Sequence, residues 1–338
     1  MSKIQELLAG RNDKLDYSEL EKKYPWVFEK NHYCVISPDS DGLLCGLFMS
    51  KYLNWKIVGF YDGKVMLLKK GIPIAECIFL DMEIFRQHIR SSGHHMLLFN
   101  KRRKPANWNN FENCIQPNLM RDYDGYADFR LKYPLATIHL LVAIIGSKIE
   151  VKIPESGICP LFFTDGTFNV LFKYPENVLN WLNFLDANNE KSPLKDVFEN
   201  KKYSVFSLML AMDDFFRKRD EISVPNERGD RLRISDTSGN PVNITKENSA
   251  YSLDTGAKER IVRFIKLLTE LTTWDYDAQN WAWNDFNVLR FSKSDFKNDE
   301  LRLNNRNFDS FILKNPLSWA MTSGDNVEYT LEEPSKLV

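Results

Sequence analysis

The 338-residue chain has no CxxC spacing anywhere; its five cysteines, Cys34, Cys45, Cys77, Cys114 and Cys159, are scattered and mostly set in apolar runs. That excludes a thiolate zinc site and a disulfide framework, and reads as reduced, buried thiols of a cytoplasmic protein. No run approaches 18 consecutive apolar residues, and the charged N-terminal stretch has no signal-peptide core, so neither a membrane span nor a membrane partner is expected. Net charge is nearly absent too, with 45 Lys and Arg against 46 Asp and Glu. Without a whole-chain positive field, any contact with nucleic acid has to come from a local groove. Repeats and low-complexity tracts are also missing. Histidine is scarce, with five in all, so two that adjoin stand out.

What is present is a 43% hydrophobic composition, enough for a sizeable core and about two domains. From Tyr33 to Thr167 short apolar runs, "YCVIS", "WKIVGFY", "KVMLL", "ECIFLD", "HMLLFN" and "CPLFFTD", lie between polar turns and read as buried strands. Helical stretches alternate with them over 42–53, 133–146 and 175–187. The alternation predicts an α/β fold, a mainly parallel sheet flanked by helices, followed by an α+β C-terminal domain. The polar, Ser- and Pro-bearing stretch 187–202 is the expected boundary, giving domains of 1–190 and 200–338. Beyond it, helices are expected at 203–222 and 257–274, with hairpins or loops over 225–252.

The stretch "VISPDSDGLLCGLF" places Asp39 and Asp41 just past an expected strand and just before a helix, where ligand sites of open α/β sheets lie. Helix capping accounts for such a turn equally well. "ECIFLD" delivers Asp81 at another strand end, where a carboxylate is costly unless paired or metal-bound. "SSGHHMLLFN" supplies His94 and His95, and "CPLFFTDG" places Asp165 before Gly166. Four carboxylates and an imidazole form a hard-to-borderline donor set suited to Mn²⁺ or Mg²⁺. Such sets hold two ions about 3.5–4 Å apart and hydrolyse phosphate esters.

These motifs resemble the DHH phosphoesterase superfamily, which includes RecJ-like exonucleases, nano-RNases and manganese pyrophosphatases: "PDSDG" is similar to its first motif, "FLD" to the second, "GHH" to the third and "TDGTF" to the fourth. The resemblance covers about residues 33–186. It implies that Asp41, Asp81, His94 and Asp165 hold one metal, that Asp39 and a bridging Asp81 hold another, and that His95 faces the substrate phosphate. Asp81 and His95 are thus its catalytic pair. The chain departs from the pattern at Val35, where the pyrophosphatase branch has a histidine, and at Gly93, where the third motif has its leading acid.

Cationic candidates for substrate contact are Arg102 and Arg103 in "NKRRKP", and Arg121 and Arg130 among Tyr123, Tyr126 and Phe129. A solvated loop explains the first group and a packed loop the second. His139, on an apolar helix, and the aromatic group Trp274, Trp281, Trp283 and Phe286 read chiefly as core. The leading expectation is a metal-dependent phosphodiesterase acting on single-stranded nucleic acid or a short oligonucleotide. The alternative is a catalytically degenerate scaffold or binding subunit with protein partners, favoured by Val35 and Gly93. A small-phosphate hydrolase differs from the first only in substrate.

Overall fold

Strands that are apolar on both sides of the pleat need cover on both faces, and that requirement organises the chain. A computed structural model describes residues 3–98, 100–125, 128–225, 227–247, 249–295, 305–321 and 327–331. Its strands are β1 Tyr33–Ile36, β2 Lys56–Tyr61, β3 Val65–Lys69, β4 Cys77–Leu80, β5 Arg90–Ser92, β6 Cys114–Ile115, β7 Ile244–Glu247, β8 Ala250–Leu253, β9 Phe286–Arg290, β10 Ser292–Asp295, β11 Ser318–Met321 and β12 Val327–Leu331. The helices are α1 Lys3–Leu8, α2 Tyr17–Lys23, α3 Ser40–Leu53, α4 Pro117–Met120, α5 Thr137–Gly146, α6 Ile158–Phe163, α7 Thr167–Lys173, α8 Pro175–Phe184, α9 Pro193–Phe198, α10 Val205–Asp220, α11 Thr255–Thr272 and α12 Asn305–Leu313.

Nine strands form one sheet in the order β6-β5-β4-β1-β2-β3-β9-β8-β7. The first five run parallel, and β3, β9, β8 and β7 are each antiparallel to their neighbours. Along β1, Cys34 and Ile36 join the larger core on the helical face while Val35 joins a smaller core on the other. Helix α3 is buried nearly all round, which is why it lacks a polar stripe. The chain leaves β1 for β2 on one side and later returns to lay β4 on the other. The carboxyl ends of β1 and β4 therefore flank a point where the connections diverge, and a crevice opens there.

Two expected strands are something else. "CPLFF" is helix α6, because Pro160 has no N–H to give a central strand but is tolerated in a helix's first turn. The described residues of "HMLLFN" form no sheet strand; the pairing strand is the polar β5, just before the histidines, and Leu98 makes only an isolated bridge to Asp124. The expected boundary at 190–200 does not interrupt the sheet. Strands β7, β8 and β9 extend it through β3, and residues such as Phe264 and Phe286 share the larger core with Ile36. The apolar strand β3 needed a partner on its free edge, and the C-terminal half supplies one. Only β10, β12 and β11 form a separate, smaller antiparallel sheet. It docks beside the crevice through Phe85 N–H to Leu317 O (2.8 Å) and Met321 N–H to His95 O (3.2 Å). Among the described residues no helix is long and apolar enough to cross a membrane.

Candidate metal centre

Gly42 makes the first turn possible. A Cβ there would lie 2.1 Å from the Ser37 carbonyl oxygen, so only glycine lets α3 start against the end of β1. Asp39 caps that helix, accepting Gly42 N–H at 3.4 Å. Asp41 is fully buried and serves a second helix: it accepts Thr137 N–H at 2.7 Å and Ile138 N–H at 3.0 Å, the first amides of α5, whose N-cap Ala136 has no side chain to do so. Asp81 follows β4 with φ 60°, a left-handed conformation that aspartate tolerates at a cost of roughly 1 kcal/mol. Asp165 adopts φ 49° in the corner between α6 and α7.

These segments converge. One ligating atom from each of Asp81, His94, His95 and Asp165 lies within 4.8 Å of the other three, a geometry that could hold a metal ion. His94 Nε2 is 3.1 Å from Asp165 Oδ2, and His95 Nδ1 is 3.9 Å from Asp81 Oδ1. Asp41 and Asp39 stand beside this group; Ser37 Oγ, within 2.8 Å of Asp39 and 2.5 Å of Asp81, links the two acids. The Thr137 hydroxyl lies 2.8 Å from both Asp81 Oδ1 and His94 Nδ1, fixing the imidazole so that Nε2 faces Asp165.

Burial, and then the neighbouring Asp41, Asp39 and Asp165, drive the Asp81 carboxyl well above the usual range, and burial with Asp165 raises Asp41 likewise. Asp165, whose side chain is 31% exposed, goes the other way: against partial desolvation, His94 and His95 hold it well below the carboxylate range. Burial and then the adjoining His95 depress His94. Burial would depress His95 too, but the Glu83 carboxylate, 3.4 Å from Nδ1, overrides it and lifts His95 to about 9.

Sequence reasoning missed Glu83, Ser37 and Thr137, none of which belongs to a recognisable spacing. It also missed Arg231. This exposed guanidinium has no ion pair among the described residues; Leu232 N–H, bonded at 2.7 Å to Pro38 O, fixes its segment beside the "PDSDG" turn. Arg231 and Lys293 line a cavity of about 240 Å³ together with Asp39, Asp81, Glu83 and His95. A larger hollow of about 660 Å³, near Lys14, Tyr24 and Trp108, includes none of the clustered acids and histidines.

The arginines singled out from sequence do not line the small cavity. Arg121 is buried, paired with Asp13 at 2.6 Å and packed on Trp181, Phe184 and Tyr123, so its role is structural. Arg103 pairs with Asp309, while Arg102 and Arg130 are exposed away from the cavity lining. Tyr123 is buried, Phe129 half-buried, and Tyr126 lies outside the described residues. Trp274, Trp281, Trp283 and Phe286 are core, as is His139, whose Nδ1 accepts Ala136 N–H.

Fold and cluster together define an α/β protein with a partly buried acid–imidazole centre at the carboxyl ends of β1 and β4. Comparison with protein-family models, with characterised proteins and with solved structures finds no match to this chain.

Proposed function

We propose that the chain is a DHH-like, divalent-metal-dependent phosphodiesterase acting on ends of single-stranded nucleic acid or short oligonucleotides. The supporting observation is the convergence of Asp81, His94, His95 and Asp165, with Asp39 and Asp41 beside them, next to a cavity lined by Asp39, Asp81 and His95. Buried carboxylates held this close repel one another unless a proton or a cation lies between them. Oxygen and imidazole donors without thiolate fit Mn²⁺ or Mg²⁺; Cys45, beside Asp41, is kept a neutral thiol by burial and the nearby acids.

Asp81, His94 and Asp165 would hold one ion, with His95 at its edge. Asp39, joined to Asp81 through Ser37, would help hold a second. The bound metal supplies Lewis acidity and a water that ionises near neutral pH. The chain's own residues do the rest. His95, with Nδ1 tied to Glu83, leaves Nε2 for a phosphate oxygen. Arg231, in the lining of the same cavity, would offer the planar donor fork that matches a phosphate. The small sheet contributes Trp319 and Tyr329 to the cavity lining.

A non-catalytic scaffold is favoured by one observation: Asp39 and Asp41 each have a helix-capping duty that explains them without a metal. Melting curves with and without millimolar Mn²⁺, for wild type and Asp81→Asn, decide between the readings, alongside hydrolysis of labelled oligonucleotides. The enzyme reading expects a Mn²⁺-dependent rise in wild-type melting temperature, absent in Asp81→Asn, and Mn²⁺-dependent cleavage only by wild type. Equal shifts in both proteins, or none in wild type, would sink it.

A further inference from the structure

The histidine pair is preceded by a glycine whose backbone does not require one. Gly93 is not among the residues with positive φ, so any side chain could adopt its conformation. Space is the constraint. A Cβ on Gly93 would stand 2.6 Å from Glu83 Cδ and 2.7 Å from Glu83 Oε2, closer than real Cβ contacts come. Glu83 reaches that position from the far side, two residues beyond Asp81, where Met82 bridges Ser92 and Ile84 N–H bonds Ser91 Oγ. Its carboxylate is 2% exposed and divided between two partners: Oε1 accepts Met96 N–H at 2.9 Å, and Oε2 lies 3.4 Å from His95 Nδ1. A buried carboxylate would be costly there without these partners, and its hydrogen bond to Met96 and its ion-pair contact with His95 hold the backbone just after His95 as well as the ring.

We propose that Glu83 is the positioning residue of His95, and that Gly93 is glycine because the Glu83 carboxylate occupies the space of its missing side chain. The two residues are then one device: a carboxylate beside the histidine pair, supplied from the end of β4 and not from the residue before the pair. An acid at position 93 would have no room beside Glu83, which already supplies the carboxylate that faces His95. The meaning of His95 for hydrolysis rests on the proposed function, but the device itself does not.

Its test reads His95 directly in metal-free protein, by long-range ¹⁵N–¹H correlation of the imidazole in wild type, Glu83→Gln, Glu83→Ala, Gly93→Ala and the double variant Glu83→Ala/Gly93→Asp. In wild type the Nδ1 proton should be held and slow to exchange. It should be lost in Glu83→Ala, weakened in Glu83→Gln and Gly93→Ala, and regained in the double variant, where the carboxyl introduced at position 93 enters the vacated space. A wild-type His95 pattern in Glu83→Ala, or a double variant no nearer to wild type than Glu83→Ala, overturns the proposal. If Glu83→Ala does not fold, Glu83→Gln decides, and an unchanged Nδ1 signal there counts against it. Failure of Mn²⁺ to stabilise wild type with this pattern intact rejects the metal reading and leaves the Glu83 assignment standing.

Discussion

Replacing Glu83 by Gln keeps the shape of the side chain and its acceptor for Met96 N–H but removes the charge facing His95, which makes it a clean probe of the site's electrostatics. Burial by itself lowers the His95 pKa, and Glu83 raises it to about 9, against 6.5 for a free histidine. A group whose folded pKa is raised contributes stability that is whole below its unfolded pKa and is lost as pH climbs toward the folded one. Between pH 6.5 and 8.5 that is two units at about 1.4 kcal/mol each, which the ring's 32% exposure reduces to about 2 kcal/mol. Raised carboxyls such as Asp81 act in the same direction in the metal-free protein, since the folded state keeps protons that the unfolded chain has released. The buried, depressed histidines His94 and His139 add only a little stability above pH 6.5, as the unfolded histidines lose their remaining protons, and they do so alike in both proteins. Urea unfolding of metal-free protein at both pH values should therefore give a wild type that loses about 2 kcal/mol more than Glu83→Gln. Parallel losses in the two proteins would show that Glu83 does not hold the His95 charge, and the electrostatic reasoning for the site would fail with it.

Two further outcomes separate structural from substrate-facing arginines. Arg121→Ala removes a cation whose side chain is fully buried and leaves Asp13 and three aromatic rings without it, so stability should drop by about 3 kcal/mol, measured by urea unfolding. Activity per folded molecule should not change, and a selective loss of activity would return Arg121 to the substrate. Arg231→Ala should leave the melting temperature within a degree or so while raising KM for an oligonucleotide several-fold; Arg102→Ala should do neither. Equal effects of Arg231→Ala and Arg102→Ala on KM would remove the cavity from the account.

The pieces of the fold that depend on local chemistry were legible in the order of residues. Apolar four- to six-residue runs marked β1 to β4, "PDSDG" marked the strand-to-helix turn, and the firm apolar period of 257–274 marked α11. Local pattern likewise pointed to Asp81, His94, His95 and Asp165, because acids after apolar runs and a histidine pair are costly and scarce. Other features arise only from contacts between distant segments. Strand β5 is only Arg90–Ser92, polar in composition, and is a strand because β4 and β6 offer it ladders. The C-terminal half joins the same sheet because the free edge of β3 had to be paired, a need with no trace in a polar linker. Arg121 looked like a substrate contact from its aromatic neighbours; whether such a cation faces solvent or core depends on which helices close over it. Glu83, Ser37 and Thr137 reach the site only because β1 and β4 end, and α5 begins, at one point. No spacing along a chain encodes that, since hydrogen bonds between residues some 40 to 60 positions apart exist only once the sheet has placed them within 3 Å.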